Sequence, residues 1–259
     1  MKNQRPKCTV IKVAERAAAM LKPLLCAALL LAGGSAWAAQ VVGVVAHLSG
    51  PLLDRKLDGS VKVLGPKSEV ENGDTLVSEK NTYAQIRFVD NSEVTLKPGT
   101  TFRIDNFSYD AGKPEADSAA FDLVKGGLRS ITGLLGKRNK EKFSLKTPSA
   151  TIGIRGTTFV AEYVTVPAPA QDKLPALAPG LHVSVSEGAI VVTNNGGALG
   201  FAAGQFGYVP GLNQAPVIVP PNAGVQFAPP PSFSGNATGP QASGGGSGAE
   251  RQAVDCIVR

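Results

Sequence analysis

Sulfur and imidazole are scarce in these 259 residues: three cysteines, two methionines and two histidines. Cys8 and Cys26 fall in the first tenth of the chain, which leaves Cys256 alone near the end. One cysteine makes no internal disulfide, so whatever folds here is held by its core. His47 and His182 stand in no His-x-x-x-His spacing, and no Cys-x-x-Cys occurs, which argues against a zinc site. A Ser-His-acid triad has no Gly-x-Ser-x-Gly elbow to seat its nucleophile. No Gly-Lys-Ser/Thr follows a glycine loop, and Asp54–Asp58 offers too few alternating oxygens for a calcium loop. The residues therefore point to no catalysis, no cofactor and no metal. Each histidine flanks an extended segment and reads as structural.

Long apolar runs are also missing. The longest, Leu24–Ala32, is well short of the ~20 residues that span a bilayer. It follows six basic residues (Lys2, Arg5, Lys7, Lys12, Arg16, Lys22) and one acid, Glu15, and precedes Ala36-Trp37-Ala38. A positive opening, a short apolar run and a small-x-small ending describe a secretory signal peptide over 1–38, cleaved after Ala38. Met20 is a second candidate start. If the segment stayed uncleaved it would tether the chain to the membrane. Cleavage removes six of 26 basic and one of 20 acidic residues, so 20 face 19 and the net charge falls from +6 to about +1. The basic balance belongs to the export signal, and nucleic acid loses its support as a partner.

What remains is rich in glycine and β-branched residues. From Gln40 to about Val166, short alternating runs are separated by turn residues, with no long 3.6-residue period. Ala84, Ile86 and Phe88 alternate with Gln85 and Arg87, then Asp90-Asn91-Ser92 turns the chain into Val94 and Leu96, which predicts an antiparallel hairpin with one buried face. Glycines 73, 99, 126, 156 and 188 each precede an apolar run at similar spacing, consistent with repeated β units rolled on one another. The stretch Phe143–Val164 changes side-chain parity twice, near Pro148 and Gly156, and so must turn corners. Arg155 between Gly153 and Gly156 reads as a conformational device with a hydrogen-bonding arginine. Glycines disfavour a helix in 121–142, and a strand through Leu128–Thr132 followed by a glycine turn is expected.

The resulting reading is an all-β, rolled or solenoid-like antiparallel domain over 39–166. A Pro-rich loop follows at 167–180, further strands packing on the domain at 181–209, and a disordered Pro/Gly-rich tail at 210–259. One electrostatic asymmetry stands out. Lys125, Arg129, Lys137, Arg138, Lys140 and Lys142 crowd a segment with little acid, and either form a solvated face or bind an anionic partner.

Several spaced motifs occur together: Val70, Gly73-Asp74 and Leu76; the Ala84–Leu96 alternation with Asp90 and Ser92; Pro98 and Thr100. Phe121, Leu123, Gly126-Gly127-Leu128-Arg129 and Gly133–Asn139 follow. Thr147-Pro148-Ser149-Ala150-Thr151-Ile152-Gly153-Ile154-Arg155-Gly156-Thr157 is the most specific. Together these resemble the FecR domain over roughly Val42 to Val164. The resemblance implies a periplasmic all-β domain whose motif residues (Thr147, Pro148, Thr151, Gly153, Arg155, Gly156) are structural. In the namesake iron-uptake regulators it lies in a membrane-spanning transducer between an outer-membrane receptor and a cytoplasmic sigma factor. This chain departs from that plan: its apolar segment reads as cleavable, and no cytoplasmic anti-sigma region is recognisable before it. The expectation is an exported binding or scaffold module, periplasmic first and secreted or surface-held second, with an unknown envelope protein or anionic glycan as partner. The alternatives are a membrane-tethered signalling component, or a binder of acidic glycan or cell wall.

Overall fold

Alternation of apolar and polar residues builds the strands, and glycine decides where each run changes sheet. The computed structural model describes residues 40–166 and 177–225, with Phe227, Pro230 and Phe233; the expected signal peptide at 1–38, most of the expected Pro-rich loop and most of the tail after 225 lie outside them. In chain order the elements are β1 (Val41–Leu48), β2 (Leu52–Arg55), β3 (Val61–Leu64), β4 (Glu69–Glu71), β5 (Thr75–Ser78), β6 (Ala84–Phe88), β7 (Glu93–Leu96), β8 (Thr101–Ser108) and β9 (Ser118–Ile131). After β9 come the short helix α1 (Leu134–Arg138), β10 (Phe143–Lys146), β11 (Thr151–Ile154), β12 (Thr158–Val164), β13 (Gly180–Glu187), β14 (Ala189–Asn194), β15 (Gly197–Ala202), β16 (Phe206–Val209) and β17 (Val217–Val219).

These strands form two sheets that share β9. Sheet A runs β4-β1-β6-β7-β9-β12-β13-β16-β17. Sheet B runs β3-β2-β5-β8-β9-β10-β11-β14-β15. Every pairing is antiparallel except β9 with β10, where Phe143 to Lys146 run parallel to Ala119 to Asp122. The all-β reading holds, with that one parallel pair as a correction. It arises because α1 returns the chain from the end of β9 to a point beside its start.

β9 shows how the crossing works. Its first part pairs with β8 and β10 in sheet B, its second with β7 and β12 in sheet A. Ala119, Phe121 and Leu123 point into the core, then Leu128 and Ser130. The parity switch sits at Gly126, whose φ of +83° suits no other residue well and whose Cβ would lie 2.7 Å from Thr100 Cα. Thr100, fully buried, fixes the bend by donating from Oγ1 to Gly127 O (2.9 Å) and accepting from Gly127 N (3.0 Å). The repeated glycines at 73, 99, 126, 156 and 188 all have positive φ, and each stands where the chain changes sheet. The repeat is therefore a repeat of corners.

The corners stack. Arg155 N and Thr157 Oγ1 both donate to Ala189 O, at 2.9 and 2.6 Å, Thr132 N donates to Thr157 O, and Ala203 N donates to Gly188 O. Between the sheets lies one core of aliphatic and aromatic side chains, in which Phe88, Phe102, Phe107 and Phe121 pack ring against ring at 4.9 to 6.1 Å.

Two further expectations are corrected. Residues 181–209 do not dock on a finished domain; they extend both sheets, through β12–β13 and β11–β14. Of the tail expected to be disordered from 210 to 259, residues 210–225 continue the fold, and most of the remainder lies outside the described residues. β17 adds to β16, a 3-10 turn follows at Ala223–Val225, and Val225 is buried. Val219, Val225 and Phe227 join Val160, Val164, Leu177 and Phe206 in a second apolar cluster. Odd-numbered residues of β12 enter the main core, so this cluster covers the outer face of sheet A. Phe227 and Phe233 reach Tyr83, and Phe233 reaches His47 on β1. Prolines hide this from a pattern reading, yet they also lower the entropy lost when such a segment is laid on an apolar face.

Candidate functional site

The basic segment begins where β9 leaves sheet A. Gly133 sits so close to the Asp90–Ser92 turn that a Cβ would lie 2.4 Å from Ser92 N. Asp90, buried, accepts from Leu134 N at its carbonyl (2.9 Å) and from Leu135 N at Oδ2 (3.1 Å). These bonds serve two N–H groups that the first turn of α1 leaves without intrahelical partners. Leu135 is buried beneath the helix beside Phe107, Phe121, Phe143 and Ile154, and Gly136 lets Ile154 approach. The glycines that argued against a helix thus serve close packing, and the helix is short enough to bear them.

The other end of α1 is clamped. Arg138 donates from Nε and Nη2 to the two oxygens of Asp117, at 2.7 and 2.6 Å, from Nη1 to Ala111 O, and from Nη2 again to Asp110 O. Its guanidinium also lies 4.6 Å from the Tyr109 ring centre. Asn139 adds a bond from Nδ2 to Asp117 (3.0 Å) and another to Pro114 O. Hydrogen bonding from Arg138, then from Asn139, holds the Asp117 carboxyl below its ordinary range against the opposing effect of burial. Arg138 is therefore no free partner-binding cation: its donors are committed to the 109–117 loop. This is the main correction to the sequence reading.

The remaining candidates divide. Lys125 is exposed at the β9 corner, and Arg129 is half-exposed on the outer face of sheet A. Lys137, Lys140 and Lys142 are exposed on α1 and the 3-10 turn after it, Lys140–Lys142. The sheet A part of β9 separates Lys125 from these lysines by roughly 20 Å at ~3.3 Å per residue. One residue that the charge argument missed joins the lysine end. Arg155 is exposed in the corner after β11, next to Ile154, which packs under Gly136. Its backbone N–H is bound, but its guanidinium makes no hydrogen bond or ion pair to a described residue, so the corner is held by backbone and Thr157. Only a signal in three dimensions could have found it, because 13 or more residues separate it from the lysines. Glu141, between Lys140 and Lys142, and Glu187, at the end of β13 opposite Thr158, are exposed and temper the charge.

The other motif residues build the turn and strand before that corner. Thr147 Oγ1 donates to Ala150 O and accepts from Ala150 N, at 2.8 and 3.0 Å, closing the β10–β11 turn around Pro148. Thr151 and Gly153 lie on β11, paired with Thr193 and Val191. His182 stacks on Tyr208 at 4.7 Å and bonds Ala178 O through Nε2; Tyr208 Oη donates to Pro179 O. With Val219, Pro220 and Pro221 these rings line an open cleft of about 420 Å³. Among the described residues no group of His, Cys, Asp and Glu has the arrangement of a metal site, and no helix is long and apolar enough to cross a membrane. Cys256 lies outside the described residues.

A two-sheet β domain with glycine corners and a lysine-bearing helical cap is what the fold and this site define. Residues 74–191 match the family described as FecR protein. No curated protein matches. Among solved structures, a candidate anti-sigma factor from Parabacteroides distasonis ATCC 8503, known at 1.65 and 2.50 Å, is 18% identical with a TM-score of 0.41. The match covers 57% of this chain and 60% of that one, so this chain spans less than two thirds of its length. A cell surface anchoring domain is 21% identical with a TM-score of 0.24, over 24% of this chain and 82% of that one.

Proposed function

We propose that this chain is a non-catalytic, exported FecR-domain module that binds an acidic protein partner in the cell envelope through the α1 end. The carrying observation is the way α1 is mounted. Asp90 fixes its start and Asp117 its end, while Lys137, Lys140, Lys142 and Arg155 stay exposed. A charged segment that merely solvates a loop has no need of a buried carboxylate at each end. A pre-ordered one loses little entropy on binding. Export rests on the basic-then-apolar pattern of 1–38, and the absence of catalysis on the lack of any triad or ligand spacing in the sequence.

Photo-crosslinking from position 137 in the native envelope tests the reading. The expected result is one protein adduct, lost in Lys140→Glu/Lys142→Glu/Arg155→Glu while the fold is kept. No adduct, or an adduct indifferent to those charges, removes it. Equal retention of wild type and that variant on an acidic glycan column sets glycan aside; selective retention of the wild type replaces protein with glycan.

The family match favours one further reading, a FecR-type signalling component held at the membrane by an uncleaved Leu24–Ala32. N-terminal sequencing of the chain from the envelope separates the two. A start near Ala39 ends tethering by that segment, and an intact leader supports it.

A further inference from the structure

The β2–β3 hairpin and the β4–β5 corner meet at a half-buried lysine, Lys56. Lys56 Nζ lies 2.8 and 2.9 Å from the two oxygens of Asp74, 2.7 Å from Glu71 Oε2 and 3.1 Å from Asp54 Oδ2. The Asp54 side chain is fully buried and that of Asp74 nearly so, whereas Lys56 and Glu71 keep 15% and 27% exposure. Asp74 is held in place from behind: Glu71 N donates to its Oδ2 at 2.8 Å. Asp54 is different. Neither of its oxygens makes a well-aligned hydrogen bond, and its one ion pair is the 3.1 Å contact with the ammonium.

As an ion cluster this arrangement is poorly balanced. One cation faces three carboxylates, two of them out of water, and a buried acid without hydrogen bonds is costly when ionised. Burial pushes the Asp54 carboxyl above its ordinary range and Asp74 adds to the push, against Lys56. Burial alone would lower the Lys56 ammonium, but its bonds to Asp74, Glu71 and Asp54 outweigh that and raise it. A protonated carboxyl, an amine and a second carboxyl in mutual contact away from water are the components of an amide condensation.

We propose that Lys56 and Asp74 form an intramolecular isopeptide bond, with Asp54 as the catalytic carboxyl. The Lys56 ammonium passes a proton along its hydrogen bond to Asp74, which gives a neutral amine and a neutral acid. The Nζ lone pair attacks Asp74 Cγ. Asp54, as the acid, protonates the departing hydroxyl and recovers a proton from the nitrogen, so it ends as it began. One C–N bond forms, one C–O bond breaks and one water leaves; nothing is oxidised or reduced. The ammonium's attachment to its carboxylates opposes the first step. Fixed contact supplies a high effective concentration, and the product removes a buried ion pair, so the reaction can be slow and still run to completion. The bond would staple the β2–β3 hairpin across 18 residues to the corner that opens β5, in a chain without an internal disulfide among its described residues.

Mass spectrometry decides it on the full chain isolated folded from its native envelope. The expected result is an intact mass below that of the sequence from its measured N-terminus by one water, about 18 Da. A branched peptide should join the segments containing Lys56 and Asp74. Folded Lys56→Arg and Asp54→Asn chains should show the full mass. A folded wild type at full mass, with the two peptides separate after long incubation, overturns the bond and leaves a salt bridge only. A folded Asp54→Asn chain that is still linked overturns the assignment of Asp54. The wild-type measurement stands even where a variant fails to fold.

Discussion

The outer faces of the two sheets obey different rules. Across sheet B one register row runs Arg55, Thr75, Arg103, Asp122, Lys146, Thr151, Thr193 and Ala198. Its members are polar or small and half-exposed to exposed, with Arg103 paired to Asp105 and to Asp122. Sheet A carries Val160, Val164, Phe206 and Val219 on its outer face and covers them with Leu177, which precedes β13, and with Val225 and Phe227, which follow β17. An antiparallel sheet with one wetted face shows clean alternation; one covered on both sides shows nearly continuous apolar runs. β12, with five of its seven residues buried, is the second kind. The difference teaches that the Pro-rich segment after Pro210 belongs to the fold because sheet A needs a second layer.

Equal charges on the two faces break this comparison most strongly. Val160→Asp places a carboxylate under the cover and should cost about 3 kcal/mol or more, since an unpaired buried charge is among the most destabilising changes. Thr151→Asp, on the exposed face of β11, should stay within about 0.5 kcal/mol. Urea unfolding of both reads the contrast. Similar small losses would mean that the second apolar cluster is not a core.

The join between the faces gives the next largest effect. Gly126→Ala meets Thr100 at Cα and Oγ1 in a backbone conformation unsuited to alanine, at the point where β9 changes sheet. About 2–3 kcal/mol is expected. Gly59→Ala, at a φ of +84° in the β2–β3 turn but with nothing within 4 Å, should cost about 1 kcal/mol. If both cost the same, backbone conformation alone matters and the packed crossing does not.

These glycines also mark what could be read without coordinates. The β6–β7 hairpin and the corner at Gly156 followed from alternation, because period-2 geometry shows parity changes directly in sequence; the glycines at 73, 99, 126 and 188 read only as the openings of similarly spaced strands. β2 went unread: Leu52–Arg55 is only four residues and ends in a charged pair. The order of strands in two sheets was not legible, since corner glycines tell where a run ends and not which neighbour it joins. The site was legible in part. A run of basic residues located the α1 segment, but charge in sequence does not show that Arg138 is committed to Asp117 or that Arg155 comes alongside. The start of the tail, residues 210–225, was not legible because proline and glycine composition argues about regular structure, whereas Val219, Val225 and Phe227 act singly.

Ion pairs give a smaller contrast between the faces. On sheet A, Lys97 Nζ and Glu162 Oε2 lie 2.5 Å apart with less than a fifth of each side chain exposed, bridging β7 and β12 over Gly127. Glu162→Gln should cost about 1 kcal/mol, because a partly covered lysine keeps a weaker partner. High salt should change the difference little, since covered pairs are poorly screened. A loss that disappears in high salt would make this pair an ordinary surface contact.

The smallest effect belongs to Asp122 on sheet B, and there the sign is the test. Burial pushes its carboxyl above the ordinary 3.8 and Asp105 adds to the push, while Arg103 and Lys146 oppose it. A folded-state pKa above the unfolded one means that the folded form binds the proton more tightly. The stabilising contribution is full below the unfolded pKa and is lost as pH rises through the folded one. At neutral pH the ionised Asp122 therefore works slightly against folding despite its 3.0 Å contact with Arg103. Asp122→Asn should be neutral or stabilising at pH 7, by no more than about 0.5 kcal/mol once solvent screening is allowed for. Relative to wild type that benefit should shrink as pH falls toward 3.8 and below. Urea unfolding of both chains at pH 7 and at acid pH measures it. A clear loss at pH 7 that vanishes in acid would mean that the Arg103 pair outweighs burial, and that ion pairing holds the wetted face as apolar cover holds the other.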